Sequence, residues 1–210
     1  MTKRETIVAI TGASGSIYGL RLVDELLKRG GDVNLIISPS GFLVIEHEIS
    51  LRLGKTKKEI ETGLKKYFKN PFKKSSGHIK YHSHNDLLSL LASGSSLKKD
   101  MIICPCSMGT LARIAAGISG NLIERTADVV LKEKGRLIIV PRETPLNQIH
   151  LENMLKLCKM GVHIIPAMPA FYHKPKIIGD MVDFVVGKTL DAMGIENKLY
   201  KRWKPSAIVK

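Results

Sequence analysis

The segment Thr6-Ile-Val-Ala-Ile-Thr11-Gly12-Ala-Ser-Gly15-Ser16 sets the pattern for the whole chain. Its first half is a short β-branched, apolar run, which is typical of a buried strand, and its second half is a loop of small residues. Residues 17–29 then carry apolar side chains on one helical face, and Gly30-Gly31 ends that helix. A strand, a tight loop and a helix in this order predict a βαβ unit and a parallel sheet.

The same alternation continues along the chain. Further strands are predicted at 33–37, 79–82, 101–104, 137–140 and 162–165, the last three being closed by Pro105, Pro141 and Pro166. Further helices are predicted at 41–53, 107–116, 122–134, 148–160 and 178–193, with surface loops and one helix within 54–77. The pattern predicts a three-layer α/β fold with a doubly wound, mostly parallel sheet of the Rossmann or flavodoxin-like type. We expect residues 1–210 to form a single domain.

Composition excludes several classes of protein. Of the 210 residues, 44% are hydrophobic, and no stretch approaches the roughly 20 apolar residues of a membrane span. The N-terminus lacks the features of a secretory signal, so we expect a cytoplasmic protein with no membrane association. The three cysteines fit neither a disulfide framework nor a C-x-x-C motif. No histidine has a cysteine or carboxylate partner at metal-ligand spacing, so we expect no metal site.

The positive charge is concentrated in one segment. Residues 52–80 hold ten Lys and Arg against two Glu, which is +8 of the formal net charge of +14. A solvated lysine-rich surface explains this segment, and it is the interpretation we expect. Nucleic-acid binding is the alternative, because Tyr67, Phe68, Phe72 and Tyr81 lie in or beside the segment and could stack on bases.

Small and hydroxyl-bearing residues follow three of the predicted strands. They are Gly12, Ala13 and Ser14 after the first strand, Ser38 after the second, and Ser107, Met108, Gly109 and Thr110 after the strand at 101–104. Ligands of parallel sheets bind at the carboxyl ends of the strands, where helix N-termini attract anions. The loop after the first strand matches neither G-x-G-x-x-G nor a P-loop. Each loop alone could be a turn or a helix cap, but together they predict a phosphorylated ligand.

A charged pair follows the strand at 137–140. Arg142 and Glu143 stand between Pro141 and Pro145, which suits a fixed carboxylate beside an anion-binding guanidinium. A surface ion pair in a turn is the alternative. After the last strand, the stiff segment 166–175 could hold Tyr172 over a site.

Six motifs together resemble the flavin prenyltransferase family, of the type associated with ubiquinone biosynthesis and phenylacrylic acid decarboxylation. In chain order they are Gly12-Ala-Ser-Gly15, Pro105-Cys-Ser-x-x-Thr110, Arg125-x-Ala-Asp-Val-x-Leu-Lys-Glu133, Pro141-Arg-Glu-x-Pro145, Pro169-x-Phe-Tyr-His-x-Pro175 and Arg202-Trp203. The resemblance implies a metal-independent enzyme that transfers a dimethylallyl group from dimethylallyl monophosphate to reduced FMN. The product, prenylated FMN, would serve a partner decarboxylase, and the enzyme would be a large homo-oligomer, a dodecamer.

The resemblance also implies a role for each matching residue. FMN would be bound by Gly12, Ala13, Ser14, Ser38, Ser107, Met108, Gly109, Thr110 and Arg142. The dimethylallyl phosphate would be held by Tyr172, Lys188, Arg125, Lys132 and Arg142. The catalytic set would be Glu143, for proton transfer, with Glu48, Tyr172, Trp203 and Lys132. Of these, Lys132 and Trp203 would serve sites shared between neighbouring subunits.

The sequence departs from the family pattern at one position. Position 188 is lysine where arginine is expected in many relatives, and a lysine binds phosphate as a point charge, not as a fork. This departure leaves open whether the donor is a monophosphate or a diphosphate.

Three different activities compete with prenyl transfer. An FMN-dependent decarboxylase of cysteine-containing peptides or pantothenate derivatives shares this kind of fold, but its motif and its histidine are absent here. A direct aromatic-acid decarboxylase would release carbon dioxide without a partner protein. A non-catalytic FMN carrier would bind the flavin and leave it unchanged.

Overall fold

The structure, a computed structural model, describes residues 5–68, 77–94 and 100–203. The strands in these ranges are β1 (Glu5–Ile10), β2 (Asp32–Ile37), β3 (Ile79–His82), β4 (Asp100–Cys106), β5 (Arg136–Pro141) and β6 (His163–Ile164). The helices are α1 (Ser16–Lys28), α2 (Pro39–Ile49), α3 (Lys57–Tyr67), α4 (Met108–Ala115), α5 (Leu122–Lys132), α6 (Gln148–Lys159) and α7 (Ile178–Ala192). A single turn of 3-10 helix, Leu90–Ala92, follows β3.

The six strands form one sheet in the order β3-β2-β1-β4-β5-β6, and all five pairings are parallel. This is the 3-2-1-4-5-6 order of the doubly wound Rossmann sheet. The winding direction reverses between β1 and β4, so the loops that follow these two strands leave a crevice at the carboxyl edge. The predicted doubly wound α/β fold is therefore confirmed, and its crevice is bordered by two of the loops that the sequence singled out.

Two apolar cores cover the two faces of the sheet. Val8 and Ile10 face the core that is closed by α1, α2, α3 and α7, whereas Ile7 and Ala9 face the core that is closed by α4, α5 and α6. Because both faces of the sheet are covered, successive residues of a central strand are all apolar and do not alternate with polar ones.

Several predicted bounds differ from the structure, most clearly those of the second helix and of the strand before Pro105. The second helix was predicted at 41–53, but α2 begins at Pro39, where Ser38 Oγ accepts a hydrogen bond from the backbone N–H of Gly41. It ends at Ile49 because Ser50 adopts a left-handed conformation, with φ of 55°. The strand predicted to close at Pro105 continues to Cys106, and its pairing with β5 shifts register between Ile103 and Cys106.

The lysine-rich segment contributes one amphipathic helix. Ile60 and Leu64 of α3 are buried against the core, and the lysines of α3 are exposed. Tyr81 is also a core residue, only 5% exposed, so it cannot stack on a nucleic-acid base. Phe72 lies among residues 69–76, outside the described ranges. Among the described residues, no helix combines the length and the apolar composition that a membrane span needs.

Candidate active site

The loop after β1 leads into α1 and is held by a carboxylate from another element. Glu48, near the end of α2, accepts hydrogen bonds from the backbone N–H groups of Gly15 (2.9 Å) and Ser16 (2.9 Å) and from the Ser16 hydroxyl (2.7 Å). Gly15 makes this approach with a φ of 96°, a left-handed conformation that glycine adopts without strain. The N-terminus of α1, which the sequence offers to a ligand, is thus occupied by the protein's own anion.

The environment of Glu48 favours its charged form. Partial burial opposes ionisation, but hydrogen bonds from the side chains of Ser14 and Ser16 and the backbones of Gly15 and Ser16 outweigh it and lower the pKa of Glu48 below its ordinary value. A carboxylate that accepts several N–H and O–H donors is stabilised as an anion. At neutral pH, Glu48 is therefore an ionised group in the β1 loop.

The loop after β4 is tied to the loop after β1. Thr11 Oγ1 donates to the carbonyl of Pro105 (2.9 Å) and accepts from the backbone N–H of Ser107 (2.8 Å). Ser107 then caps α4, and its hydroxyl lies 3.0 Å from Thr110 Oγ1. A Cβ atom built on Gly109 meets nothing within 4 Å, so open space adjoins the first turn of α4. This helix N-terminus has the free space and the hydroxyl pair that a phosphate group needs.

The loop after β2 closes against the loop after β1. The backbone N–H of Ser38 donates to the carbonyl of Ile10 (3.0 Å), and a Cβ atom on Gly12 would lie 2.5 Å from Ser40 Cβ. Only a glycine at position 12 permits this approach. The hydroxyl of Ser38 caps α2, as the cap interpretation predicts, and its O–H remains available as a donor.

The loop after β5 brings in Arg142 and Glu143. The backbone N–H of Arg142 donates to the carbonyl of Cys106 (3.3 Å), and its Nε donates to the carbonyl of Ser14 (3.1 Å). The carboxylate of Glu143 accepts from the backbone N–H of Thr144 (3.0 Å). Within the described part of the chain, Arg142 and Glu143 form no ion pair with each other, which disfavours a surface pair in a turn. Arg142 instead joins the loops that follow β1, β4 and β5.

Two residues of this region were not predicted from the sequence. Thr11 connects the loops that follow β1 and β4, and Tyr18 on α1 lies among the charged groups. Burial raises the pKa of Tyr18, with Cys104 and Glu48 adding to the effect and Arg142 opposing it. No motif marks either side chain, and only their positions next to a strand-end loop could have drawn attention to them.

Tyr172 belongs to an aromatic cluster beside the N-terminal half of α7. Its ring makes edge contacts with Trp203 (centroids 5.5 Å apart) and Phe184 (5.8 Å). His173 stacks on Phe184 at 5.2 Å, and among the described residues its two buried ring nitrogens have no hydrogen-bond partner. Tyr172 is 39% exposed and Trp203 is 55% exposed. The cluster therefore presents aromatic surface that the described residues of this chain do not cover.

The last described residues are held against α7 by an ionic contact. Arg202 Nη2 lies 2.6 Å from Asp191 Oδ1, and the guanidinium also stands over the ring of Tyr200, 5.3 Å from its centroid. Tyr200 donates its hydroxyl to Asp191 Oδ2 (2.7 Å). These contacts fix the neighbouring Trp203 next to Tyr172.

The remaining predicted cations are not brought to the strand-end loops. Arg125 Nε donates to the carbonyl of Ala92 (3.2 Å), and its Nη1 pairs with Asp128 (2.7 Å). Lys132 ends α5 and pairs with Glu133 (3.3 Å), just before β5 begins at the amino edge of the sheet. Lys188 lies in an exposed groove with Cys158 and His163, beside β6. Among the described residues, no hydrogen bond or ion pair joins these three cations to the loops that follow β1, β4 and β5.

Known proteins are similar in sequence to this chain over most of its length. The Flavoprotein family pattern matches residues 1–190. Flavin prenyltransferase UbiX of Halalkalibacterium halodurans is 55% identical over 196 residues, which cover 93% of this chain and 91% of that protein.

Two solved structures are similar over nearly the whole chain. A dodecameric FMN-dependent UbiX-like decarboxylase from Escherichia coli O157:H7 has a TM-score of 0.81 and 37% identity, covering 95% of this chain and 99% of that one. AnUbiX, in complex with FMN and dimethylallyl pyrophosphate, has a TM-score of 0.82 and 35% identity, covering 96% and 98%. The resemblance carried by the six motifs is confirmed: the chain belongs to the Flavoprotein family and, within it, to the flavin prenyltransferases.

Proposed function

We propose that this chain transfers a dimethylallyl group from dimethylallyl monophosphate to reduced FMN, without a metal ion. The observation that carries the proposal is the junction of three strand-end loops through Thr11, Ser14 and Arg142, beside an open helix N-terminus. AnUbiX, at 35% identity, holds FMN together with dimethylallyl pyrophosphate, which is the same pair of ligand classes.

FMN binding is supported by the first turn of α4. Its N–H groups carry a partial positive charge, and Ser107 and Thr110 add hydroxyl groups next to the open space at Gly109. The N-terminus of α1 is less suited to a phosphate, because the Glu48 carboxylate already occupies its donors. We therefore place the flavin phosphate at α4 and the flavin ring towards the small residues of the β1 loop.

Donor binding requires cations that neutralise the leaving phosphate. Arg142 stands in the loop cluster, whereas Arg125, Lys132 and Lys188 stand elsewhere on the chain. We propose that neighbouring subunits of a homo-oligomer, a dodecamer as in the Escherichia coli relative, bring these cations to the loops. Positive side chains then perform the charge neutralisation that a metal ion would otherwise provide.

The chemistry assigned to the other residues follows from their positions. When bound, reduced FMN supplies the nucleophile, and departure of the phosphate leaves an allylic cation that aromatic faces stabilise. Trp203 and Tyr172 supply such faces from one exposed cluster. Glu143, half-buried next to Arg142, is the group that we propose moves a proton during the reaction. The prenylated product would then pass to a partner decarboxylase.

The decisive experiment is anaerobic incubation of the purified protein with reduced FMN and dimethylallyl monophosphate, followed by mass spectrometry of the extracted flavin. We expect a flavin that is heavier by one prenyl unit, in the presence and in the absence of a metal chelator. A parallel reaction with the diphosphate shows which of the two donors the protein prefers.

Two different outcomes would redirect the assignment. If the flavin stays bound but unmodified with either donor, the protein would instead be an FMN carrier. Release of carbon dioxide from an aromatic acid by this protein alone would support a decarboxylase, the activity for which the Escherichia coli relative is named.

A further inference from the structure

A network of polar side chains crosses the edge of the sheet beneath the 3-10 turn. Asn34 on β2 and His82 on β3 are buried, at only 6% and 5% exposed. His82 Nε2 lies 2.8 Å from Asn34 Oδ1, and His82 Nδ1 lies 3.0 Å from the hydroxyl of Ser89. Asn34 Nδ2 donates to the carboxylate of Glu5 (2.5 Å). The four side chains link β1, β2 and β3 to the segment 83–92.

The direction of every hydrogen bond in this network is determined. A carboxylate only accepts, so the amide nitrogen of Asn34 faces Glu5 and its oxygen faces His82. His82 must then carry its proton on Nε2, and its Nδ1 accepts from the hydroxyl of Ser89. A neutral histidine with one donor and one acceptor satisfies both neighbours, which a buried polar group requires.

Ser89 also makes hydrogen bonds to the 3-10 turn, Leu90–Ala92, that follows it. Its Oγ accepts from the backbone N–H of Leu91 (3.3 Å), and its carbonyl accepts from the backbone N–H of Ala92 (2.9 Å). Leu91 is buried in the core beneath α5. The hydroxyl of Ser89, which contacts His82, therefore stabilises the short turn that ends with the Ala92 carbonyl.

The Ala92 carbonyl is the acceptor for Arg125 Nε, and the carbonyl of His84 accepts from the backbone N–H of Leu122, the first residue of α5. The segment 83–92 thus holds both the start of α5 and the guanidinium that the proposed function assigns to the donor phosphate. We infer that Ser89 and His82 are positioning residues for donor binding, which act through the Ala92 carbonyl on Arg125. This inference rests on the proposed function.

The test is a double-mutant cycle in the prenyl-transfer assay. Ser89→Ala should raise the KM for the donor about three- to ten-fold, with little change in kcat or in FMN affinity, because the loops that bind FMN are elsewhere. In an Arg125→Ala background the same substitution should change the donor KM by less than about 1.5-fold. Ser89→Thr, which keeps the hydroxyl, should retain the parental KM. Thr62→Ala, which removes a hydroxyl bonded to the Lys58 carbonyl on α3, is the control and should change nothing.

Two results would overturn the inference while prenyl transfer itself persists: an unchanged donor KM in Ser89→Ala, or an equal increase in both backgrounds. If the parental protein transfers no prenyl group, the proposed function fails. Hydrogen exchange then tests separately whether Ser89 stabilises the turn and the start of α5. We expect the amides of Leu91 and Leu122 to exchange faster in Ser89→Ala than in the parental protein. Unchanged exchange at both amides would refute the coupling.

Discussion

At the scale of single residues, Glu48 illustrates how one side chain arranges the loop after β1. A side chain from α2 reaches across 33 positions of sequence to the N-terminus of α1 and satisfies donors that a helix leaves unpaired there. The ionised carboxylate of Glu48 holds the loop after β1 in its conformation. Because the carboxylate can be protonated, the strength of this interaction depends on pH.

Glu48→Gln should therefore destabilise the protein in a pH-dependent way. The folded pKa of Glu48 is lowered, so the carboxylate contributes stability above its unfolded pKa, and that contribution is lost as pH falls through the folded value. Because solvent screens this partly exposed group, urea titrations should show a loss of only roughly 0.5–1 kcal/mol at pH 7. The gap between the two proteins should shrink below about pH 4, and a gap that does not change with pH would contradict this account.

Thr110→Val tests the proposed phosphate site at α4. Valine keeps the shape of threonine but loses the hydroxyl that lies 3.0 Å from Ser107 Oγ. A hydrogen bond to a charged group contributes about 1.5–3 kcal/mol, so FMN affinity should fall about ten-fold or more. Fluorescence titration with FMN measures this, and Thr62→Val on the exposed face of α3 serves as the control.

At the scale of elements, helix α1 lies unusually close to β4. A Cβ atom on Gly19 would come 2.1 Å from the carbonyl oxygen of Cys104 and 2.8 Å from Ile10 Cγ1. Both obstacles belong to the sheet, and the first is backbone, so the helix can accommodate a side chain only by moving away from the strands.

Gly19→Ala should consequently destabilise the fold by about 1–3 kcal/mol, despite the higher helix propensity of alanine. Thermal unfolding without FMN is the measurement. Gly109→Ala provides the comparison, because a Cβ atom there meets nothing within 4 Å and should leave the apo protein's stability nearly unchanged. Equal melting temperatures for both variants would mean that α1 can shift freely.

The buried His82 makes stability depend on pH in a second range. Burial lowers the pKa of His82 to about 4 from 6.5, with Lys80 and Lys57 adding to the effect and Asp86 and Glu5 opposing it. The unfolded chain then binds the proton first, so stability should fall as pH drops from about 6.5 to about 4, by roughly 3 kcal/mol at most. Denaturation of the parental protein and of His82→Gln measures this, and the variant should show a flatter profile. The exposed His47→Gln is the control.

The strands and helices could be predicted because the local sequence specifies them. Several contacts of the candidate site could not be predicted, because they depend on tertiary packing. Runs such as residues 7–10 and 137–140 are apolar and have a glycine or a proline within two residues of their end, which indicates strands without tertiary information. The prediction that a strand ends at Pro105 was wrong because β4 continues to Cys106 with a shifted register. This feature depends on the pairing with β5. The position of Glu48 against Gly15 depends on how α2 packs, and no spacing encodes it. Family resemblance named Glu48, but not the groups it would touch.

At the scale of the whole molecule, residues of the proposed active site lie at both edges of the sheet. Lys132 ends α5 at the amino edge, whereas Glu143 follows β5 at the carboxyl edge. A six-residue strand separates the two edges by about 20 Å. One chain therefore cannot bring Lys132 and Glu143 to one site, and we propose that a second copy completes it.

Mixed oligomers test this division of the site. Lys132→Ala and Glu143→Gln should each be nearly inactive alone. Dissociation and reassembly of an equal mixture should restore about a quarter of parental activity, because random pairing reunites intact halves at that frequency. A mixture of Arg142→Ala and Glu143→Gln should stay inactive, since both residues come from the same loop. Failure of the first mixture to recover, with reassembly verified by native mass spectrometry, would place the whole site within one subunit.

The carboxylate at the start of α1 also has a consequence for the medium in which the protein works. A vacant helix N-terminus in a loop of small residues attracts any small oxyanion, and inorganic phosphate and sulfate are abundant competitors. Here the competing anion is tethered to the same chain, which gives it a high effective concentration at these donors. The Glu48 carboxylate therefore competes with mineral anions for the N–H donors at the start of α1.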